Sequence, residues 1–570
     1  MTKKINDGNA LDQAERKAID ETLSDVHSQL PRLAEGLSTG KASRREFLRT
    51  ATLLGLSAGA AYGVVGKLLG EGFAPAARAQ TGTPRRGGVL RISMNVKEIS
   101  DPATIDWSEK GNNLRHVIEP LVRISADNLA TPHLAESWSA SDDLKTWTFR
   151  LRQGVKWSNG DDFTADDVLA NFERWMDPAV GSSNYGRFSA LRESNDDGSP
   201  MLENGVVKID DHTVEFNLRV PFLALPESMG DYPALIAHRS FEGGNWIDDP
   251  IGTGPFRITN FTVGERATYA RRDDWWGGEV HLDGIDYIDH GDDPAAPLAA
   301  LASDQVDLLY RLNVEQVPAA RGIPSLVLYD AATAQTGVAR MKVDVAPFDN
   351  VKVRQAIQAC IDHQRLLDIA YQGLGLPGED HHVAPIHPEY ADIGSPTQDY
   401  EKAKALLAEA GFEDGLKITI DCVAQPTWEP NTCQALVEML KPAGIDLSVN
   451  IMPGGTYWDR WMTTPFGFTS WTHRPLGTQV LSLAYRSGVP WNESSYSNPE
   501  FDELLDQAEA TLDPDARREI MEQLQTILQR DVAFVQPYWR AINTAANGRV
   551  QGYTHHPAEE HHFESVWLEG

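Results

Sequence analysis

Cysteine is scarce: Cys360, Cys422 and Cys433 are the three in a chain of 570 residues. None stands in a C-x-x-C pair, which excludes a zinc ribbon and a thioredoxin-like redox motif. Cys422 and Cys433 are open either to pairing in an oxidising compartment or to staying buried thiols, since spacing alone does not fix disulfide geometry. Positive charge is also in deficit, with 51 Lys and Arg against 82 Asp and Glu, a formal net charge of −31. A field of that sign repels phosphate backbones, so nucleic acid is not an expected partner. Catalytic signatures are missing: there is no HExxH, no P-loop and no GxGxxG fingerprint. The pattern Gly55-Leu56-Ser57-Ala58-Gly59 fits G-x-S-x-G, but it falls inside an apolar N-terminal stretch rather than at a strand-to-helix elbow. The acidic pairs Asp166-Asp167 and Asp292-Asp293 read as helix-start and loop charges. No enzyme and no cofactor is expected.

A membrane span is missing too. Crossing a bilayer takes about 20 strongly apolar residues. The best stretch, Ala51 to Leu69, is diluted by glycine and interrupted by Lys67. What surrounds it is more specific. Ser43-Arg44-Arg45-Glu46-Phe47-Leu48-Arg49 precedes it, and the small-x-small pattern Ala77-Arg78-Ala79 follows it before Gln80. That order is the order of an export signal, and it looks like a twin-arginine signal with Arg49 in place of the last Lys. The expectation is a polar, helix-prone extension over residues 1–42, a signal over 43–79 cut near Ala79, and a periplasmic mature protein. The twin-arginine export machinery is then a partner, through Arg44 and Arg45.

The mature chain exceeds one ordinary domain, so two or three lobes are expected. Its 41 % hydrophobic and 23 % charged residues are those of a soluble globular protein. Alternation predicts strands at Val89–Met94, Thr146–Leu151 and Val214–Leu218. Thr164 predicts the cap of a helix from Ala165 to about Met176, with Asp166 and Asp167 in the first turn, where a carboxylate suits the dipole. Helical spacing runs over Val351–Ile369, from Asp399 to a stop at Gly411, over Cys433–Leu440, and over the pair Phe501–Leu512 and Asp515–Arg530. The class is α/β.

Three blocks carry a resemblance. Gly87-Gly88-Val89-Leu90, Pro132-His133-Leu134-Ala135-Glu136-Ser137-Trp138 and Trp147 through Trp157 lead into Asn159-Gly160-Asp161-Asp162-Phe163-Thr164-Ala165-Asp166-Asp167-Val168. Ile251-Gly252-Thr253-Gly254-Pro255-Phe256 is the second block, and Pro347-Phe348-Asp349-Asn350 through Ile357 the third. Together they are similar to the family-5 extracellular solute-binding proteins of peptide and nickel importers. The resemblance implies a periplasmic binding protein-like fold (type II, large three-lobe subclass). Lobe I would hold residues 80–112, 250–334 and 537–570, lobe II the inserted 113–249, and lobe III 335–536. Two lobes would close over a peptide or other small polar ligand about a two-strand hinge. A monomer working with ABC transporter permease subunits is implied.

Peptide-binding members carry a tryptophan and then an acidic residue that pairs with the ligand's amino group. The matching stretch here reads Trp471-Thr472-His473-Arg474-Pro475, without the acid. Arg474 or His473 is therefore expected to meet an anionic or neutral polar group, or else to point into solvent. Trp428, Trp461, Trp471 and Tyr485, with Tyr457, Trp458 and Trp491, are either a stacking wall around the ligand or lobe III core. Asp106, in the loop Ser100–Trp107, aligns with a cleft-facing loop. The alternative ligand is nickel or a metal chelate, for which His381-His382, His555-His556 and His561-His562 are the donors at hand. The C-terminal histidines are expected at the surface.

Overall fold

The computed structural model of the protein describes residues 13–40, 42–69, 83–194, 198–291 and 293–569. Ala77-Arg78-Ala79, Gln80 and the first residues of the polar extension lie outside them.

A twelve-stranded mixed sheet forms the spine. Val89–Ser93 buries Leu90 and Ile92 and pairs in parallel with Gly284–Ile288 and Leu308–Leu309. The antiparallel strands Arg266–Arg271 and Phe256–Thr262 extend this half to one edge. The other half carries Phe466–Trp471, Leu416–Val423 and Ile445–Met452, the last two parallel and joined by the helix Trp428–Leu440. Joining the halves are Leu326–Met341, a 16-residue strand, and Tyr538–Asn547. They pair antiparallel from Leu326↔Asn547 to Ala332↔Ala541, lose register, and meet again at Thr336↔Trp539. Along Leu326–Met341 the residues are half-buried or exposed at first and fully buried from Thr333 onward, so one strand serves both halves.

A separate four-stranded antiparallel sheet is inserted beside the first half: Ala135–Ala140, Thr146–Leu151, Thr213–Asn217 and Val206–Asp210. Its inward residues Trp147, Phe149 and Phe216 are buried against Phe172 and Trp175 of the helix Ala165–Trp175. That helix starts as expected, with Asp167 Oδ2 accepting the Thr164 N–H at 2.9 Å. The block Gly252-Thr253-Gly254 has a steric reason. A Cβ at Gly252 would lie 1.9 Å from the Val117 carbonyl oxygen and one at Gly254 2.5 Å from that of His116.

Two expectations need correction. Val351–Ile369 is not one helix but two, Val351–Gln358 and His363–Tyr371, because Asp362 turns extended and caps the second through the Arg365 N–H. The C-terminal histidines are not at the surface: His555, His556 and His561 are buried. The three cysteines are buried thiols, and burial pushes Cys360 up to about 12.

The N-terminal segment folds as four helices: α1 (Gln13–Ser24), α2 (Leu30–Thr39), α3 (Arg44–Leu53) and α4 (Ala58–Leu69). Ser43 and Glu46 close a capping box at the head of α3. Leu23, Leu30, Leu33, Phe47, Ala51 and Leu53 share one hydrophobic core with Trp138 of the inserted sheet. The turn between α3 and α4 needs Gly55, whose φ is +97° and whose Cβ would sit 2.3 Å from the Trp138 carbonyl oxygen. No described helix is long and apolar enough to cross a membrane.

Candidate functional site

The strand Phe466–Trp471 is a buried member of the sheet, hydrogen-bonded to Leu326–Met341 with Trp471 opposite Thr336. Where it ends, Thr472–Pro475 leaves the second half and meets the inserted region. His473 is fixed at both nitrogens. Its Nδ1 accepts the Ala334 N–H at 3.0 Å, so Nε2 donates to Asn128 Oδ1 at 2.6 Å. Burial, reinforced by nearby positive groups, holds its pKa well below 6.5, so the ring is neutral. Arg474 reaches further. Its Nη1 donates to Thr472 Oγ1 at 2.6 Å and to the His473 carbonyl at 3.0 Å, and its Nε stands 3.5 Å from Asp231 Oδ2.

Asp231 is the centre of this junction. It also takes Arg187 at 2.9 Å and the Tyr232 backbone N–H at 2.8 Å. Burial alone would raise its pKa, but Arg474 and Arg187 outweigh that and hold it below the ordinary value. Beside it Arg486 binds Asp506 at 2.6 Å and Glu509 at 2.8 Å. A cavity of about 40 Å³ lies among Arg187, Arg219, Asp231, Arg474, Arg486 and Glu509. Residues of the inserted region and of the second half line it together, and the Arg474–Asp231 contact joins the two there.

A second polar cluster forms where the joining strands lose register. Gln335 Nε2 donates to Glu559 Oε2 at 3.2 Å, Arg311 Nε donates to Glu559 Oε1 at 2.6 Å, and Arg540 donates to Gln335 Oε1. Burial opposes the charge on Glu559, and Arg311 and Arg540 overcome it. The Arg540 guanidinium lies 4.2 Å from the centre of the Trp428 ring, a cation–π contact. Next to Trp428, burial pushes the Glu429 carboxyl up to about 8, so it is largely neutral at pH 7.

The aromatic residues do not form one wall. Trp471 and Tyr485 belong to one core, Trp428 to another, and Trp461 packs on a third beside Tyr457. Glu493 organises two of them. It accepts Trp471 Nε1–H at 2.9 Å, the Thr469 hydroxyl at 2.6 Å, Trp461 Nε1–H, and Arg340 Nε–H at 3.0 Å. Tyr485 stacks on Phe534 at 4.9 Å, with its hydroxyl on His382 Nδ1 at 2.9 Å. Asp106 is half exposed and pairs with Lys110 at 2.9 Å, while its carbonyl accepts the Tyr232 hydroxyl at 2.9 Å. Its neighbour Trp107 meets Trp458 of the second half edge-on at 5.1 Å.

The structure thus brings together Thr472, His473 and Arg474 and separates them from Trp428, Trp461 and Tyr485. Sequence reasoning missed Asp231, Arg187, Glu493 and Glu559, which sit far along the chain from the residues they bind. The cluster Glu559-Glu560-His561-His562 was the one visible signal, since charge and imidazole seldom crowd together without partners. His556, Glu560 and His562 bring ligand atoms within 4.8 Å of one another. His556 is already spent on the Ala558 N–H and the Ile124 carbonyl, each at 3.1 Å, and Glu560 on Arg115 at 2.8 Å. A metal would have to displace them.

A family model described as "Bacterial extracellular solute-binding proteins, family 5 Middle" matches residues 130–493. The dipeptide-binding protein of Escherichia coli strain K12 is 28 % identical over 473 residues, covering 77 % of this chain and 86 % of that protein. Heme-binding protein A of Haemophilus influenzae is 28 % identical over 475 residues, 77 % and 84 % of the two chains. Among solved structures, a Helicobacter pylori periplasmic binding protein in complex with the peptide STSA superposes with a TM-score of 0.75 at 23 % identity, covering 85 % of this chain and 99 % of that one. A binding protein in complex with agropinic acid, from A. tumefacien R10, gives 0.74 at 24 % identity over 85 % and 99 %. These likenesses in structure establish the periplasmic binding protein-like α/β fold.

Proposed function

Because the chain belongs to the bacterial extracellular solute-binding proteins of family 5, we propose that it captures a small polar solute of peptide or peptide-like chemistry between its halves and delivers it to the permease of an ABC importer. Leu326–Met341 and Tyr538–Asn547 are the hinge of this reading, and residues 113–249 its inserted lobe. The observation that carries it is Arg474, which leaves the end of a core strand to reach a carboxylate on the opposite side of the closure. A guanidinium there offers a planar fork to a carboxylate. A solute carboxylate would take the place Asp231 now holds, leaving Asp231 to Arg187. Other relatives bind dipeptides, glutathione and agropinic acid, all of which carry carboxylates.

Native mass spectrometry of protein recovered from its own export compartment would identify a co-purified solute. Replacing Arg474 with Ala should then weaken binding of that solute by about 10- to 100-fold, the worth of a charge-assisted hydrogen bond. Unchanged affinity would remove Arg474 from the site.

A second reading, nickel or metal-chelate capture, is favoured by the approach of His556, Glu560 and His562 and by a Staphylococcus aureus neighbour solved with Ni(L-His)2. The commitments of His556 and Glu560 place it second. Export follows the twin-arginine route in this proposal. Arg44 and Arg45 are exposed at the head of α3, while Phe47 and Leu48 are buried. Changing both arginines to Lys should strand the precursor in the cytoplasm, and normal export of that variant would refute the route.

A further inference from the structure

The N-terminal helices touch both sides of the closure. On the inserted side, the Leu53 carbonyl accepts Trp138 Nε1–H at 2.8 Å, and Ser28 Oγ donates to Asp142 at 2.5 Å. On the second half, Arg32 pairs with Asp513 at 2.8 Å, and Glu46 receives Arg518 at both oxygens, at 2.9 and 2.8 Å. Arg49 adds to the contact with the second half. It is buried to 1 % exposure, and its Nη1 donates to the carbonyls of Ile386 at 2.9 Å and Pro475 at 3.0 Å. Pro475 follows Arg474 directly.

Two buried acidic groups from opposite sides lie within electrostatic reach of that guanidinium without forming an ion pair with it: Glu227 of the inserted region and Glu389 of the second half. Neither Glu227 oxygen meets a hydrogen-bond donor among the described residues, nor does Glu389 Oε2; Glu389 Oε1 accepts the Thr478 N–H at 3.2 Å. Burial pushes Glu227 up to about 8, and Arg49 is the strongest influence drawing it back. Arg49 is bonded to two carbonyls of the second half, while Leu53 of the same helix is bonded to the inserted sheet, so parting the two sides breaks buried hydrogen bonds at α3.

We infer that helices α1–α4 are an intramolecular clasp that holds the inserted region and the second half shut, with Arg49 as its pin, and that removing them frees the closure to open. The segment 13–69 is the occupant of this surface, and its loss turns a locked chain into a working one. The clasp rests on the two-half closure proposed above.

The test uses the full chain with Glu173→Cys and Glu522→Cys, both exposed, carrying spin labels. A protease site placed between residues 70 and 82 allows the N-terminal fragment to be cut away. The intact chain should give one narrow inter-label distance. Cutting and removing the fragment should broaden it toward longer distances, as should Arg49→Gln in the intact chain, while Arg49→Lys keeps the charge and the narrow peak. The Thr478 amide should lose protection from hydrogen exchange by about tenfold in Arg49→Gln. If Arg49→Gln fails to fold, Glu46→Gln, which weakens the Arg518 contact at the rim, should broaden the distance instead. An unchanged narrow peak after fragment removal overturns the clasp. A cut chain that stays narrow but shifts when a solute is added loses only the clasp. A cut chain that moves in neither case loses the closure as well.

Discussion

Trp471 and Arg474 share one short segment and end in opposite circumstances. Trp471 is the last residue of a buried strand, its indole fixed on a carboxylate of its own half. Arg474 has left the sheet, and its partner Asp231 belongs to the other side of the closure. The first arrangement fixes a side chain within one half, and the second ties the second half to the inserted region. Groups that must exchange partners sit where a strand leaves its sheet, and groups that hold those positions sit behind it.

The first arrangement should break hardest. Replacing Glu493 with Ala leaves Arg340, at 1 % exposure, without its carboxylate and strips an acceptor from Trp461 and Trp471. A loss of about 3–5 kcal/mol is expected, as for other buried pairs cut on one side, with tryptophan fluorescence in urea as the check. A loss below about 1 kcal/mol would make Glu493 a bystander.

Glu429→Gln should act with the opposite sign. The native carboxyl is raised from 4.5 to about 8 by burial, so its contribution to stability is whole below about pH 4.5 and is lost as pH climbs toward 8. The variant should match the parent at pH 4 and exceed it by about 1–3 kcal/mol at pH 8. Equal melting temperatures at pH 8 would contradict this. The smallest effect belongs to His473, neutral and held at both nitrogens. Its ring should show no titration in nuclear magnetic resonance between about pH 5 and 8; a midpoint in that range would mean that the junction is open to water.

Local pattern carried much of the fold. Alternation placed Thr146–Leu151 with both ends right, and Thr164 marked its helix start. The single helix read over Val351–Ile369 failed because the apolar spacing continues through the break that Asp362 caps. Of the candidate site, the segment Trp471–Pro475 was legible through family resemblance, but not the fates of its residues. Nothing in the local sequence marks Asp231 and Glu493, because what distinguishes them is a partner brought near only by folding. The same blindness hid the C-terminal histidines, which read as exposed and are packed around Tyr287 and Arg115: His561 Nδ1 lies 2.8 Å from the Tyr287 hydroxyl, and His562 bonds the Glu560 that holds Arg115.

Small-angle scattering of the chain freed of its N-terminal helices, with and without the solute recovered from the native compartment, tests the closure itself. The account predicts a smaller radius of gyration with solute, accompanied by heat of binding in calorimetry. The same radius and no heat, for that solute and for a panel of dipeptides, glutathione and agropinic acid, would contradict it.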